Sequence, residues 1–117
     1  MTQLEIRYYQ SADGKRPFTE WLEALRDQQA RARIQARLAR VGVGNLGDVE
    51  SVGEGVMELR IDWGPGYRVY FARVGRVIVL LLCGGDKRTQ KKDIQRAKDY
   101  FEDHTNRTAP RKPKGRA

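Results

Sequence analysis

Two arginines, a tyrosine and a basic tetrapeptide fall at spacings that gather them at one end of a small sheet. Met57, Leu59 and Ile61 alternate with Glu58, Arg60 and Asp62, and Tyr67, Val69 and Phe71 alternate with Arg68, Tyr70 and Ala72, as strands require. If helices cover the apolar side, Arg60, Arg68 and Tyr70 share the open one. Asp86-Lys87-Arg88-Thr89 ends a further apolar strand and opens a helix. Helix N-termini attract anions through their free N–H groups and dipole. Arginine forks and a lysine around that end would hold phosphates, and the Tyr70 ring would offer a base a stacking surface. The pattern admits a second reading, in which Glu58 and Asp62 neutralise Arg60 and Arg68 across the strands.

The elements that must position these residues are legible from periodicity. Leu4, Ile6 and Tyr8 alternate with Glu5, Arg7 and Tyr9 as a first strand, and Ser11-Ala12-Asp13-Gly14 turns the chain. Pro17 suits a first helical position, and Phe18, Trp21, Leu22 and Leu25 mark one apolar helix face, with Trp21 in the core. Asp27 suits the N-cap of a second helix, with Ala30, Ile34, Leu38 and Val41 buried and Arg31, Arg33, Arg37 and Arg40 on other faces. Gly44 to Gly55 reads as a long loop. After the two alternating strands, Arg76 to Cys83 reads as a strand covered on both faces, with Cys83 as inert packing. A last helix begins near Arg88 or Thr89, with Gln90, Ile94, Ala97 and Phe101 on one side, and ends before His104. The expected fold is α+β, β-α-α-β-β-β-α, with a helical hairpin on one face of a small, mainly antiparallel sheet.

The chain has 117 residues, enough for one domain. One cysteine and one histidine provide neither a disulfide nor a Cys/His metal cluster, so no metal or cofactor is expected. The longest apolar run, Val77 to Cys83, is too short to span a bilayer, and the N-terminus has no export leader, so a cytoplasmic protein is expected. The net charge of +8 is unevenly spread: residues 1–54 balance to zero, whereas 105–117 hold five basic side chains and no acid. That points to a polyanionic partner, nucleic acid first. It also divides the chain into a domain over 1–104 and a basic tail over 105–117, expected to be disordered.

Three linked segments resemble a known family: Gly53-Glu54-Gly55-Val56-Met57-Glu58-Leu59-Arg60, Gly64-Pro65-Gly66-Tyr67-Arg68-Val69-Tyr70-Phe71, and Leu81-Leu82-Cys83-Gly84-Gly85-Asp86-Lys87-Arg88-Thr89-Gln90. They are similar to the addiction-module killer proteins, HigB-like toxins of the RelE/ParE superfamily in type II toxin–antitoxin systems. The resemblance runs from about Leu4 to about Phe101 and implies a RelE-like fold. It implies a ribosome-dependent mRNA interferase, in which a ribose 2′-hydroxyl attacks the adjacent phosphate without a metal. On that resemblance Arg68 stabilises the phosphorane, Arg60 supports it, and Lys87 and Arg88 form a second phosphate clamp. The implied partners are the ribosome with its mRNA and a helix-turn-helix antitoxin, for which Trp63 is a candidate contact. Arg33, Arg37 and Arg40 are candidate ribosomal RNA contacts.

The sequence departs from the family in its acid–base groups. Relatives that cut mRNA carry Tyr or His near the start of the last helix, where this chain has Gln90-Lys91-Lys92-Asp93-Ile94. Tyr70 and Asp86 are the side chains left to substitute, and an unperturbed tyrosine is a poor base at neutral pH. Two alternatives therefore stay open: a ParE-like toxin that inhibits DNA gyrase without cutting RNA, and a non-catalytic basic nucleic-acid-binding module.

Overall fold

The chain builds a five-stranded mixed sheet between two helical layers. The computed structural model describes residues 3–109. Its elements are β1 (Glu5–Tyr8), α1 (Pro17–Ala24), α2 (Gln28–Gly42), β2 (Val49–Gly53), β3 (Val56–Ile61), β4 (Tyr67–Val74), β5 (Ile78–Asp86), a 3-10 turn (Lys87–Thr89) and α3 (Gln90–Thr108). The strand order is β1-β5-β4-β3-β2. β1 runs parallel to β5, and every other pairing is antiparallel. The α+β class and the helical hairpin agree with the sequence reading, and Asp27 caps α2 by accepting from the Gln29 and Ala30 amides at 2.9 and 3.1 Å.

Alternation divides the sheet between two cores. Leu59, Ile61, Tyr67, Val69, Phe71, Val79 and Leu81 pack with Phe18 of α1 and Ala30, Ile34 and Val41 of α2. Val56, Tyr70, Ala72, Leu80, Leu82 and Cys83 pack on the opposite face with Tyr9 and Ala97 of α3. The side expected to be open is therefore covered, because the Ile94, Ala97 and Phe101 stripe of α3 needs an apolar surface and finds it there. A register shift between Tyr70 and Phe71 pairs them with Cys83 and Leu81, leaving Leu82 as the extra residue of a bulge.

Two further expectations are corrected. The loop expected over residues 44–55 contains a strand, β2, which pairs with β3 from Val49↔Leu59 to Gly53↔Val56. Its turn back uses positive φ at Gly53, Glu54 and Gly55. The last helix does not stop before His104 but continues to Thr108, so residues 105–108 are helical. The Tyr9 hydroxyl donates to Asp103 at 2.6 Å, Arg107 Nε donates to the same carboxylate at 2.9 Å, and Arg107 Nη2 donates to the Gln10 carbonyl. Those bonds hold this last stretch against the end of β1. The disorder expected of the remaining tail concerns residues 110–117, which lie outside the described residues. Among the described residues, no helix is long and apolar enough to cross a membrane.

Candidate functional site

Register places Arg60 of β3 directly opposite Arg68 of β4, and Glu58 opposite Tyr70. Two like charges facing each other across strands repel, so the pair needs a counter-charge. Glu58 supplies it, with its side chain only 1% exposed. Glu58 Oε1 accepts from Arg60 Nε at 3.2 Å, and Oε2 accepts from the Tyr70 hydroxyl at 3.0 Å and from Gln90 Nε2 at 2.8 Å. Arg68 Nε lies 3.5 Å from Oε2 and makes no hydrogen bond. A buried carboxylate survives only when paired and hydrogen-bonded, and here three elements contribute to that shell. The counter-charge reading holds for Glu58, whereas Arg60's other acids are Glu50 and Asp48, on and just before β2.

The two arginines differ in reach. The Arg60 side chain is 34% exposed, while that of Arg68 is 13% exposed. Arg68 points away from the helical hairpin, as alternation requires, but into the layer beneath α3. Its Nη1 donates to the Gly66 carbonyl at 2.7 Å. Gly66, at φ 81°, is hemmed in by the Arg68 guanidinium and the start of the Lys87 side chain: a Cβ there would lie 3.1 Å from Arg68 Nη1 and 3.5 Å from Lys87 Cβ. The Lys87 amide donates to the Pro65 carbonyl across the same turn, and the Lys87 side chain is exposed. The β3–β4 turn thus anchors both the backbone of Lys87, through Pro65, and the guanidinium of Arg68, through Gly66.

Tyr70 has a different place from the one expected. It is wholly buried, so its ring offers no stacking surface to a base. Burial and the bond to Glu58 push its hydroxyl pKa well above the ordinary tyrosine value, which keeps it a neutral donor to the carboxylate. Asp86 is also committed. It accepts from the Arg88 amide at 2.8 Å as the cap of the 3-10 turn, and Arg88 Nη2 lies 3.0 Å from Oδ2. The Arg88 side-chain hydrogen bond, foremost, holds the Asp86 carboxyl below the usual range, so it is ionised at neutral pH and a poor proton donor.

Arg33, Arg37 and Arg40 of α2 line one groove with Arg60, Asp48 and Asp62. Arg37 is spent within the fold, donating to the carbonyls of Leu46 and Asp48 at 2.8 and 3.1 Å. The Arg33 guanidinium stacks 3.7 Å from the Trp63 ring centre, and Trp63 Nε1 donates to Asp27 at 3.1 Å. Trp63 therefore pins the β3–β4 turn to the start of α2, partly buried rather than projecting. Arg40 remains exposed.

Sequence reasoning singled out neither Gln90 nor Asp93 for the site. Asp93 is buried against β5, and a Cβ at Gly85 would lie 1.8 Å from its Oδ2. A Cβ at Gly84 would lie 2.2 Å from Trp21 Cε3 on the other face. The adjacent glycines thus admit one helix from each side, a signal present in the sequence as Gly84-Gly85-Asp86. Among the described residues, no three His, Cys, Asp or Glu side chains gather as a metal site needs.

A family model described as "Phage derived protein Gp49-like (DUF891)" matches residues 20–102, which contain the Glu58 cluster, Lys87 and most of α3. The chain belongs to this family. Gp49-like proteins are associated with the toxins of toxin–antitoxin systems. The chain is also similar to a Haemophilus influenzae protein described as uncharacterized, 54% identical over 81 residues that cover 69% of this chain and 82% of that protein.

Proposed function

We propose that this Gp49-like protein is the toxin of a type II toxin–antitoxin pair, of the HigB-like kind, and that it cuts mRNA on the translating ribosome in the cytoplasm. The observation that carries the reading is the arrangement of basic residues at one end of the sheet: Arg60 and Arg68 in register on neighbouring strands, with exposed Lys87 anchored by its amide to the same turn that holds Arg68. In the reaction, a ribose 2′-oxygen bonds to the adjacent phosphorus, the bond to the 5′-oxygen breaks, and the products are a 2′,3′-cyclic phosphate and a 5′-hydroxyl. The 2′-proton leaves as the oxygen attacks, and the departing 5′-oxygen takes one up. Negative charge concentrates on the phosphorane, where positioned cations lower the barrier, about 10²–10³ in rate for one well-placed donor. Arg68 and Lys87 take that role, Arg60 and Arg88 contact neighbouring phosphates, and Glu58 orients the two strand arginines. The partner that silences the toxin is a helix-turn-helix antitoxin.

A second reading has its own support. Both arginines already face acids, Arg60 with Glu50 and Glu58 and Arg68 with Glu58, and the Tyr70 hydroxyl is buried and occupied. A basic face without a free acid–base group suits a ParE-like inhibitor of DNA gyrase. One experiment separates the two: induce the protein in a bacterial host and run primer extension on a translated message beside a supercoiling assay. In-frame cuts within translated message are expected. Intact message with gyrase-linked DNA breaks would replace the first reading with the second.

A further inference from the structure

The outer side of α3 carries cations that the fold leaves unspent. Lys91, Lys92 and Arg96 are exposed and make no ion pair among the described residues. With Arg88 and Gln95 they line one open depression, bounded at its far end by Asp99, which accepts from Gln95 Nε2 at 3.1 Å. This contrasts with α2, where Arg37 holds carbonyls and Arg33 stacks on Trp63. Lys92 and Arg96 stand one helical turn apart, about 6 Å along the axis, and Lys91 flanks them. The row starts next to the 3-10 turn whose Lys87 amide is bonded to Pro65, in the same turn whose Gly66 carbonyl holds Arg68, so it begins beside the candidate phosphate site.

We infer that Lys91, Lys92 and Arg96 form a track on α3 for the ribose-phosphate backbone of the RNA strand that enters the Arg60/Arg68 site. The inference rests on the proposed reading of that site and adds where the flanking nucleotides run. No aromatic side chain lines the depression, so the contacts are to phosphates and carry no base preference. Continuity with the site favours the strand being cut over a folded RNA elsewhere on the ribosome.

The test is equilibrium binding of the full-length protein to a short single-stranded 2′-O-methyl RNA, which cannot be cut, over a salt series. The comparison is with the triple variant Lys91→Gln, Lys92→Gln, Arg96→Gln. Each phosphate neutralised on a single strand adds about 0.7 to the slope of log affinity against log salt. Losing three should flatten the slope by about 2 and weaken low-salt binding at least tenfold. The conservative triple Lys91→Arg, Lys92→Arg, Arg96→Lys should restore both, which excludes a folding defect. The basic residues after Ala109 are common to all three proteins and cancel. An unchanged slope, or no binding by the unaltered protein, overturns the inference. So does a loss confined to a duplex hairpin probe, which would give the surface to folded RNA. Track binding in a protein that leaves translated message intact would refute the proposed activity while the surface stands.

Discussion

Arg68 Nε sits 3.5 Å from Glu58 Oε2, inside ion-pair range, yet forms no hydrogen bond there. The carboxylate's lone pairs on that oxygen are taken by Tyr70 and Gln90. Arg68 is therefore held by charge and by a single bond from Nη1 to the Gly66 carbonyl. A guanidinium engaged this loosely keeps donor capacity for a ligand, at the cost of binding the stability of the fold to the charge balance around Glu58.

Arg68→Ala should for that reason destabilise the protein, contrary to the simple expectation for a side chain facing away from the main core. Removing one partner of a buried pair costs about 3–5 kcal/mol, and the low end applies because Arg60 still faces the carboxylate. Urea unfolding of Arg68→Ala, Glu58→Gln and the double variant forms the check. The double should lose less than the sum of the singles, by about 1 kcal/mol or more; strictly additive losses would show the two residues uncoupled. Arg68→Lys keeps the charge and removes the fork, so it is the cleaner probe of function: near-native stability with message cleavage down about 10²–10³.

Tyr70→Phe tests whether the tyrosine handles protons. Its hydroxyl serves Glu58 and has no route to solvent. Losing the bond should cost about 1–3 kcal/mol of stability, because a buried carboxylate gives up a donor. Cleavage by the folded fraction should stay within a few-fold of the unaltered protein, with an unchanged pH profile. Abolished cleavage in a stably folded Tyr70→Phe protein would return Tyr70 to the reacting atoms.

The glycine pair of β5 gives a sharper packing prediction. Gly85→Ala drives a methyl into the Asp93 carboxylate, and Gly84→Ala drives one into the Trp21 ring. Overpacking of this kind costs typically 1–3 kcal/mol, and Gly85→Ala should sit at or above the upper end because the obstructing group is buried and charged. Denaturation midpoints decide it, since a variant as stable as the parent would mean that α3 sits further from the sheet. The double Gly85→Ala, Asp93→Ala should recover part of the loss.

How much of this was legible follows from what each signal encodes. Alternation in 57–61 and 67–72 put Arg60, Arg68, Tyr70 and Glu58 on one face, because the strand period needs no tertiary knowledge. It could not say that α3 would cover that face, although Ile94, Ala97 and Phe101 announced a helix in need of a surface. Tyr70 is buried instead of offering a stacking surface for that reason alone. β2 was hidden because a five-residue edge strand set among Gly44, Gly47, Gly53 and Gly55 has the composition of a loop and is defined by its partner β3. The far end of α3 was missed because its anchors, Tyr9 with Asp103 and Gln10 with Arg107, lie more than ninety residues apart in the chain.

The Tyr9–Asp103 anchor has a pH signature. Tyr9 is stacked on Tyr100 with ring centres 4.8 Å apart and donates to Asp103. Burial first, then the bond and charge of Asp103, push the Tyr9 pKa up to about 12 from an ordinary 10.0. A group whose folded pKa is raised gives stability that is complete below its unfolded pKa and disappears as pH rises through the folded one. Tyr9 should therefore support the fold fully below about pH 10 and cease to do so as pH passes about 12. Asp103 works in the opposite direction. Its carboxyl is held below the usual range, chiefly by the Tyr9 hydrogen bond, so its contribution is present above the ordinary carboxylate pKa and lost as acid protonates it. The clasp predicts a loss of α3 helicity at both extremes, read by circular dichroism, with tyrosinate absorbance rising in step on the alkaline side. Asp103→Asn should remove the acid limb and move the Tyr9 titration down toward 10. A Tyr9 titration at the same pH in Asp103→Asn as in the parent would show that the two side chains do not share this bond in solution.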